Sequence, residues 1–220
     1  MRLTIVGILL LLFLPLEVAA QDAFTFRIAR IKYGGGGDWY SDEQSLAELL
    51  DFTRKQTRMD VAPQEDVVEL SSDKLFTYPY LYLTGHGNVR FTDDESRRLR
   101  RYLEGGGFLH IDDNYGLDRH IRRELKKVFP DQTLVELPFT HPIYQSHFSF
   151  ANGLPKVHEH DGKDPQGFGL FLDGRLVVFY SFESDLGDGW EPEEVHQVPP
   201  EKRLNALRMG VNILSFAMMQ

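Results

Sequence analysis

No cysteine occurs among the 220 residues, and this one absence removes thiol nucleophiles, thiolate metal ligands and disulfide chemistry together. Nucleotide fingerprints are missing too. Neither Gly-x-Gly-x-x-Gly nor Gly-Lys-Ser/Thr is present, so no nucleotide or flavin is expected. The chain also lacks the Gly-x-Ser-x-Gly elbow of ordinary serine esterases. Basic residues are in the minority, 24 Lys and Arg against 33 Asp and Glu, for a formal net charge of -9. Such a surface repels a phosphate backbone, and nucleic acid is not an expected partner. The apolar run Leu3–Leu16 is shorter than the ~20 residues that span a bilayer, so a transmembrane protein is not expected. Arg2 precedes that run and Val18-Ala19-Ala20 follows it, the pattern of a signal peptide over residues 1–20. The expectation is an exported, periplasmic or secreted protein whose residues 21–220 form a single α/β domain. A domain of that size buries roughly 70% of its unfolded surface without needing disulfides.

What is present is concentrated in Tyr80–Tyr115. Tyr80-Leu-Tyr-Leu83 is a short apolar run of the kind buried on both faces of a parallel sheet. Thr92 and Glu95 form a capping box that opens a helix, with Leu99, Tyr102 and Leu103 on its apolar face. Gly105-Gly106-Gly107 ends the helix, and Phe108–Ile111 is the next strand. Strand, helix and strand at this spacing make a right-handed βαβ crossover. Ligands of open parallel sheets bind beyond the carboxyl ends of the strands. Here those ends carry Thr84-Gly85-His86-Gly87 and Asp112-Asp113-Asn114.

Phe24–Tyr33 alternates apolar and polar residues and is expected to be the first strand. It runs into Gly34-Gly35-Gly36-Gly37, expected as a flexible lip that places Asp38 and Trp39 over a site opening. Ser41 and Gln44 have capping-box spacing before a helix bearing Leu46, Leu49 and Leu50. Asp66–Leu70 is a strand, Leu117–Val128 a helix and Thr133–Leu137 a further strand, followed by Thr140–Tyr144 at the same sheet edge. From Gln145 to Gln166 the pattern loosens. His158-x-His160 in this stretch would put two imidazoles on one side of an extended segment, a metal-ligand spacing, although paired histidines in an acidic loop are commonly just solvated. Asp173-Gly174 marks a hairpin turn within Gly167–Ser181. The second strand of that hairpin delivers Glu183-Ser184-Asp185 and the glycine-rich loop Gly187–Trp190. Pro199-Pro200 precedes a C-terminal helix bearing Leu204, Leu207, Met209, Ile213, Leu214 and Phe216.

Leu83-Thr-Gly-His-Gly87, the helix ending in three glycines, Phe108–Ile111 and His141-Pro142-Ile143 together resemble the class I glutamine amidotransferase-like superfamily, and most closely its ThuA-like branch. Over nearly all of Phe24–Gln220 the chain also resembles a bacterial family of exported proteins known only as a domain of unknown function. The resemblance implies a three-layer, doubly wound, mostly parallel sheet of flavodoxin-like type with a C-terminal hairpin and helix. True amidotransferases carry a cysteine nucleophile where this chain has Asp112-Asp113-Asn114, so thiolate hydrolysis of glutamine is excluded. The ThuA-like branch is linked to carbohydrate metabolism, which implies a sugar-like ligand.

His86, Asp112, Asp113, Glu183 and Asp185 are therefore the expected acid/base, metal-binding or otherwise catalytic residues. Gly35, Gly36, Asp38, Trp39, Gly85, Gly87, Asn114, Tyr115, His141 and Trp190 are the expected ligand contacts, with Tyr115 and Trp190 as stacking surfaces. His110 and His147 are expected to pack. Asp112, Asp113 or Asn114 could equally serve as a helix cap. Two functions are compatible with this set. One is a binding or assembly module of the cell envelope whose ligand is a small molecule, such as a carbohydrate, or an envelope protein. The other is a metal-assisted or acid/base hydrolase or isomerase acting on a carbohydrate-like substrate, with a divalent metal as its possible cofactor.

Overall fold

The computed structural model describes residues 25–220; the expected signal segment, residues 1–20, lies outside them. In chain order the regular elements are β1 (Ile28–Lys32), α1 (Ser45–Gln56), β2 (Asp66–Glu69), β3 (Tyr80–Leu83), α2 (Asp93–Glu104), β4 (Phe108–Asp112), α3 (Asp118–Val128), β5 (Val135–Glu136), β6 (Gln166–Leu172), β7 (Arg175–Phe182), α4 (Leu186–Trp190), α5 (Glu193–His196) and α6 (Pro200–Met219). The strands form one seven-stranded sheet in the order β2-β1-β3-β4-β7-β6-β5. Strands β2, β1, β3, β4 and β7 are mutually parallel. Strand β6 runs antiparallel to both β7 and β5. This is the flavodoxin-like α/β arrangement, with the fifth parallel position filled by β7. Among the described residues no helix is long and apolar enough to cross a membrane.

Strands β3 and β4 are buried at every residue, as their continuous apolar runs require. Helices α2 and α3 cover one face through Leu99, Leu103, Ile121 and Leu125. Helices α1 and α6 cover the other through Leu46, Leu49, Leu207 and Ile213. The Thr92–Glu95 capping box forms as expected, with Thr92 Oγ1 accepting from the Glu95 N–H and Glu95 Oε2 from the Thr92 N–H. Asp173 (φ 49°) and Gly174 (φ 83°) make the tight turn between β6 and β7.

Four local expectations are corrected. Ser41 and Gln44 do not form a capping box. Asp42 takes a left-handed φ of 56°, which interrupts the chain, and α1 starts at Ser45 with a cap supplied from far away. The strand expected over Thr133–Leu137 shortens to Val135–Glu136, a truncated edge that offers little backbone to a neighbour. Gly187–Trp190 belongs to the short helix α4 rather than to a loop. Leu204 faces solvent, and the buried side of α6 instead runs from Ala206 to Ser215.

At the point where the chain order reverses, between β1 and β3, the crevice is filled by the protein's own loops. The Arg90 N–H donates to the Gly34 carbonyl (2.8 Å) and the Gly37 N–H to the Asn88 carbonyl (3.0 Å). A Cβ on Gly35 would lie 2.8 Å from the Arg90 nitrogen. Gly34, Gly35 and Gly37 are thus held by close backbone approach rather than forming a free lip, while Gly36 turns into open space. The open polar edge lies instead at β4 and β7.

Candidate metal centre

Two parallel neighbours, β4 and β7, end side by side, with Asp112 paired to Ser181. Beyond β7 the chain turns through two left-handed residues, Glu183 (φ 56°) and Asp185 (φ 58°), before entering α4. Each such residue costs on the order of 1 kcal/mol or more, and side-chain bonds offset that cost. The Glu183 N–H donates to Asp113 Oδ2 (3.0 Å). The Glu183 carboxylate accepts from Lys156 Nζ (2.6 Å) and the Asp161 N–H (3.0 Å). Asp112 then takes the opening N–H groups of α4, Leu186 at 3.2 Å and Gly187 at 2.6 Å, and accepts from Ser181 Oγ at 2.5 Å. Asp112 is therefore the anchor that fixes α4 to the sheet.

Helix α4 places Asp188 at the focus of a buried cluster. His158 Nδ1 stands 2.5 Å from Asp188 Oδ2 and 3.4 Å from Asp185 Oδ2. On the other side, His196 Nε2 of α5 stands 3.4 Å from Asp188 Oδ1 and 3.7 Å from Asp42 Oδ1. His160 Nε2 adds a bond of 3.0 Å to Asp185 Oδ2. The loop carrying His158 and His160 is stitched to the β7 extension: the Val157 N–H donates to the Ser184 carbonyl (2.9 Å), and Ser184 Oγ to the Pro155 carbonyl (2.6 Å). Gly187 makes room for the crowded carboxylates, since a Cβ there would lie 2.8 Å from Asp42 Oδ2 and 3.2 Å from Asp112 Oδ2.

The electrostatics follow from burial and like charge. Burial, then the charges of Asp185 and Asp42, push the Asp188 carboxyl up to about 10. Burial and the Asp185 charge push Asp112 up to about 8, against the donors that surround it. Burial raises Asp113 to about 6. Burial works upward on Asp185 as well, but its bonds to His158 and His160 outweigh it and leave this carboxyl lowered. Burial opposes the charge of His160, and Asp185 overcomes it and raises this imidazole. The bond to Asp42 raises His196. Among the described residues, Asp185 Oδ1 and His160 Nδ1 are buried beside this cluster without a hydrogen-bond partner. Such orphans are rare in protein interiors and call for an explanation.

Among the described residues, three groups bring His and carboxylate donor atoms within 4.8 Å of one another: His158–Asp185–Asp188, Asp42–Asp188–His196 and Asp113–His160–Glu183. Mixed imidazole and carboxylate donors suit zinc, manganese, iron, cobalt or nickel. With ligand bonds of about 2.0–2.2 Å, only small side-chain shifts are needed to close either Asp188 group around a dication. The His158 and His196 side chains are each about one-third exposed, 35% and 31%, so the cluster reaches the surface along that side.

Of the expected site residues, Asp112, Asp113, Glu183 and Asp185 converge at this edge. Asn114 joins them, accepting from Thr84 Oγ1 (2.8 Å) and donating to Asp42 Oδ2 (3.5 Å). His86 does not join. Its half-exposed ring pairs with Asp38 (Nδ1 to Oδ2, 3.1 Å), and the Asp38 carboxylate also accepts the His86 N–H. Gly85 and Gly87 shape that same loop, with Gly85 packed against Tyr33 and Asp38. Gly35 is docked on Arg90, Gly36 turns with positive φ, and Trp39 packs partly buried on the core. Tyr115 is exposed. His141 packs edge-on against Phe171 and at a tilt against Phe216, next to the β6–β7 turn at the opposite end of the sheet. Trp190 is fully buried and donates Nε1–H to the Ala206 carbonyl (2.8 Å), so it presents no face to a ligand. His110 is core as expected, and His147 lies against Phe148.

Asp42, Asp188 and His196 were not expected. The spacing of His158 and His160, and the position of Asp185 just beyond a buried strand, were the local signals for this cluster. Asp42 and His196 carry none, because each stands alone in an otherwise ordinary stretch.

The family model described as "Domain of unknown function (DUF4159)" matches residues 27–218, and the chain belongs to that family. No curated protein matches the chain.

Proposed function

We propose that this member of the family binds a divalent transition metal between His158, Asp185 and Asp188 and is a metal-dependent hydrolase. One observation carries the reading. A triad of one half-buried imidazole and two buried carboxylates stands at the carboxyl edge of the sheet, and one of its own oxygens, Asp185 Oδ1, has no partner among the described residues. Three protein ligands leave coordination positions open, the pattern of catalytic rather than structural sites. A dication held there would lower the pKa of a bound water toward neutrality. His160 is a positioning residue: its bond to Asp185 Oδ2 orients that carboxylate, as outer-shell partners commonly do. Asp112 positions Asp188 through α4.

A carbohydrate-like polar substrate is supported by the ThuA-like resemblance, and export by Arg2, the Leu3–Leu16 run and Val18-Ala19-Ala20. The test is metal analysis of protein purified without chelator or histidine tag, joined to a panel of chromogenic glycosides and esters. Bound metal and metal-dependent turnover in the wild type, with turnover lost and bound metal reduced in a folded His158→Ala variant, are the expected result. A folded protein that takes up no zinc, manganese or cobalt would overturn the proposal and leave the envelope binding or assembly module in its place.

A further inference from the structure

We infer that Asp188 bridges two dications, so that the centre is dinuclear; this rests on the metal-binding reading above and extends it. The two oxygens of Asp188 are committed to different histidines, Oδ2 to His158 (2.5 Å) and Oδ1 to His196 (3.4 Å). Each histidine is flanked by a further aspartate of its own, Asp185 for His158 and Asp42 for His196. The arrangement is thus two His–Asp pairs facing each other across one carboxylate, with the histidine rings 5.8 Å apart. A carboxylate shared in this way, with one imidazole and one further carboxylate on each side, is the donor set of a two-metal site, in which the ions stand about 3.5–4 Å apart.

Neighbouring groups support this division. Asn114 Nδ2 holds Asp42 by Oδ2, leaving Oδ1 for the His196 side. His160 holds Asp185 by Oδ2, and the buried Oδ1 of that aspartate is free for an ion.

The third group, Asp113–His160–Glu183, is already filled. Lys156 Nζ sits 2.6 Å from Glu183 Oε2, and the Asp161 N–H occupies Oε1. This internal ammonium takes the place of a cation, so the expected stoichiometry is two ions per chain and not three.

The experiment is equilibrium dialysis of the chelator-treated chain against Mn²⁺ at neutral pH, with circular dichroism and urea midpoints to establish folding. Wild type should bind two Mn²⁺ per chain. Asp42→Asn and His196→Ala should each retain one, and so should His158→Ala. Asp188→Asn should lose both or weaken both at least tenfold. Glu183→Gln, outside the bridge, should keep two. One Mn²⁺ in wild type, unchanged in Asp42→Asn and His196→Ala, would overturn the dinuclear inference and leave the single-metal reading standing. No Mn²⁺ in folded wild type would overturn both.

Discussion

Replacing His110 with phenylalanine should make the protein less sensitive to acid. His110 is fully buried in β4, ringed by Tyr80, Tyr82, Phe179 and Trp190. Its Nε2 lies 2.9 Å from Ser181 Oγ, which in turn donates to Asp112 Oδ1. The relay therefore runs from imidazole to hydroxyl to carboxylate, and Ser181, buried and donating to Asp112, is a spacer and not a nucleophile. Burial lowers the His110 pKa from 6.5 to about 3. In the unfolded chain the same imidazole takes up a proton near pH 6.5. A lowered folded-state pKa means that the unfolded state binds more protons, so this stability is present above pH 6.5 and is lost as pH falls toward 3. At pH 5 the loss from this one group is about 2 kcal/mol. Urea unfolding at pH 7.5 and pH 5.0 measures it. Wild type should lose about 2 kcal/mol more than His110→Phe between the two pH values. The variant also forfeits a hydrogen bond of roughly 1 kcal/mol at both pH values, which shifts its level and not the difference. Equal acid losses in the two proteins would refute the assignment of His110 as a buried neutral imidazole.

Removing Glu191 tests the remote cap of α1. Its Oε1 accepts the N–H groups of Gln44 (2.8 Å) and Ser45 (3.1 Å), so Glu191→Ala should cost about 2 kcal/mol in urea unfolding and Glu191→Gln clearly less. Gly85→Ala should destabilise by several kcal/mol, because φ is +125° and the new Cβ would press on Tyr33 and lie 2.8 Å from the Asp38 carbonyl. Gly36→Ala, with φ +91° and nothing within 4 Å, should cost only about 1–2 kcal/mol; equal losses would remove crowding as the reason for Gly85. Saturating the metal-free chain to a hundred times Kd should add about 2.7 kcal/mol for each ion bound, a rise in Tm of about 5–10 °C per ion for a domain of this size. Chelator should reverse that rise and Asp188→Asn should abolish it, and a melting curve indifferent to metal would count against the centre.

Much of the fold was legible because its signals are local. Tyr80–Leu83 and Phe108–Ile111 are short, mostly apolar runs, Thr92 and Glu95 cap a helix within one turn, and Asp173-Gly174 adopts positive φ on its own account. The same local logic failed at Ser41–Gln44, where the spacing of a capping box was present but the cap came from Glu191. It also failed at Gly34–Gly37, where four glycines looked flexible and Gly34, Gly35 and Gly37 proved to be docked on Arg90 and its neighbours. Both failures arise from partners that are distant in the chain.

The candidate site divides along the same line. Asp112, Asp113, Glu183 and Asp185 were recognisable from sequence alone, because each follows a buried strand and must therefore emerge at the carboxyl edge. His86 follows such a strand too, yet Asp38 claims it first. What only the tertiary structure decided is the meeting of Asp42, His158, Asp188 and His196. These residues come from the approach to α1, a loop before β6, the short helix α4 and the short helix α5. Sequence determines which residues leave the sheet at its polar edge, since burial periodicity is a property of neighbours in the chain. Which carboxylates then share a histidine depends on how α4 docks over β4 and β7, and that is fixed by packing among residues with no sequence relation to one another.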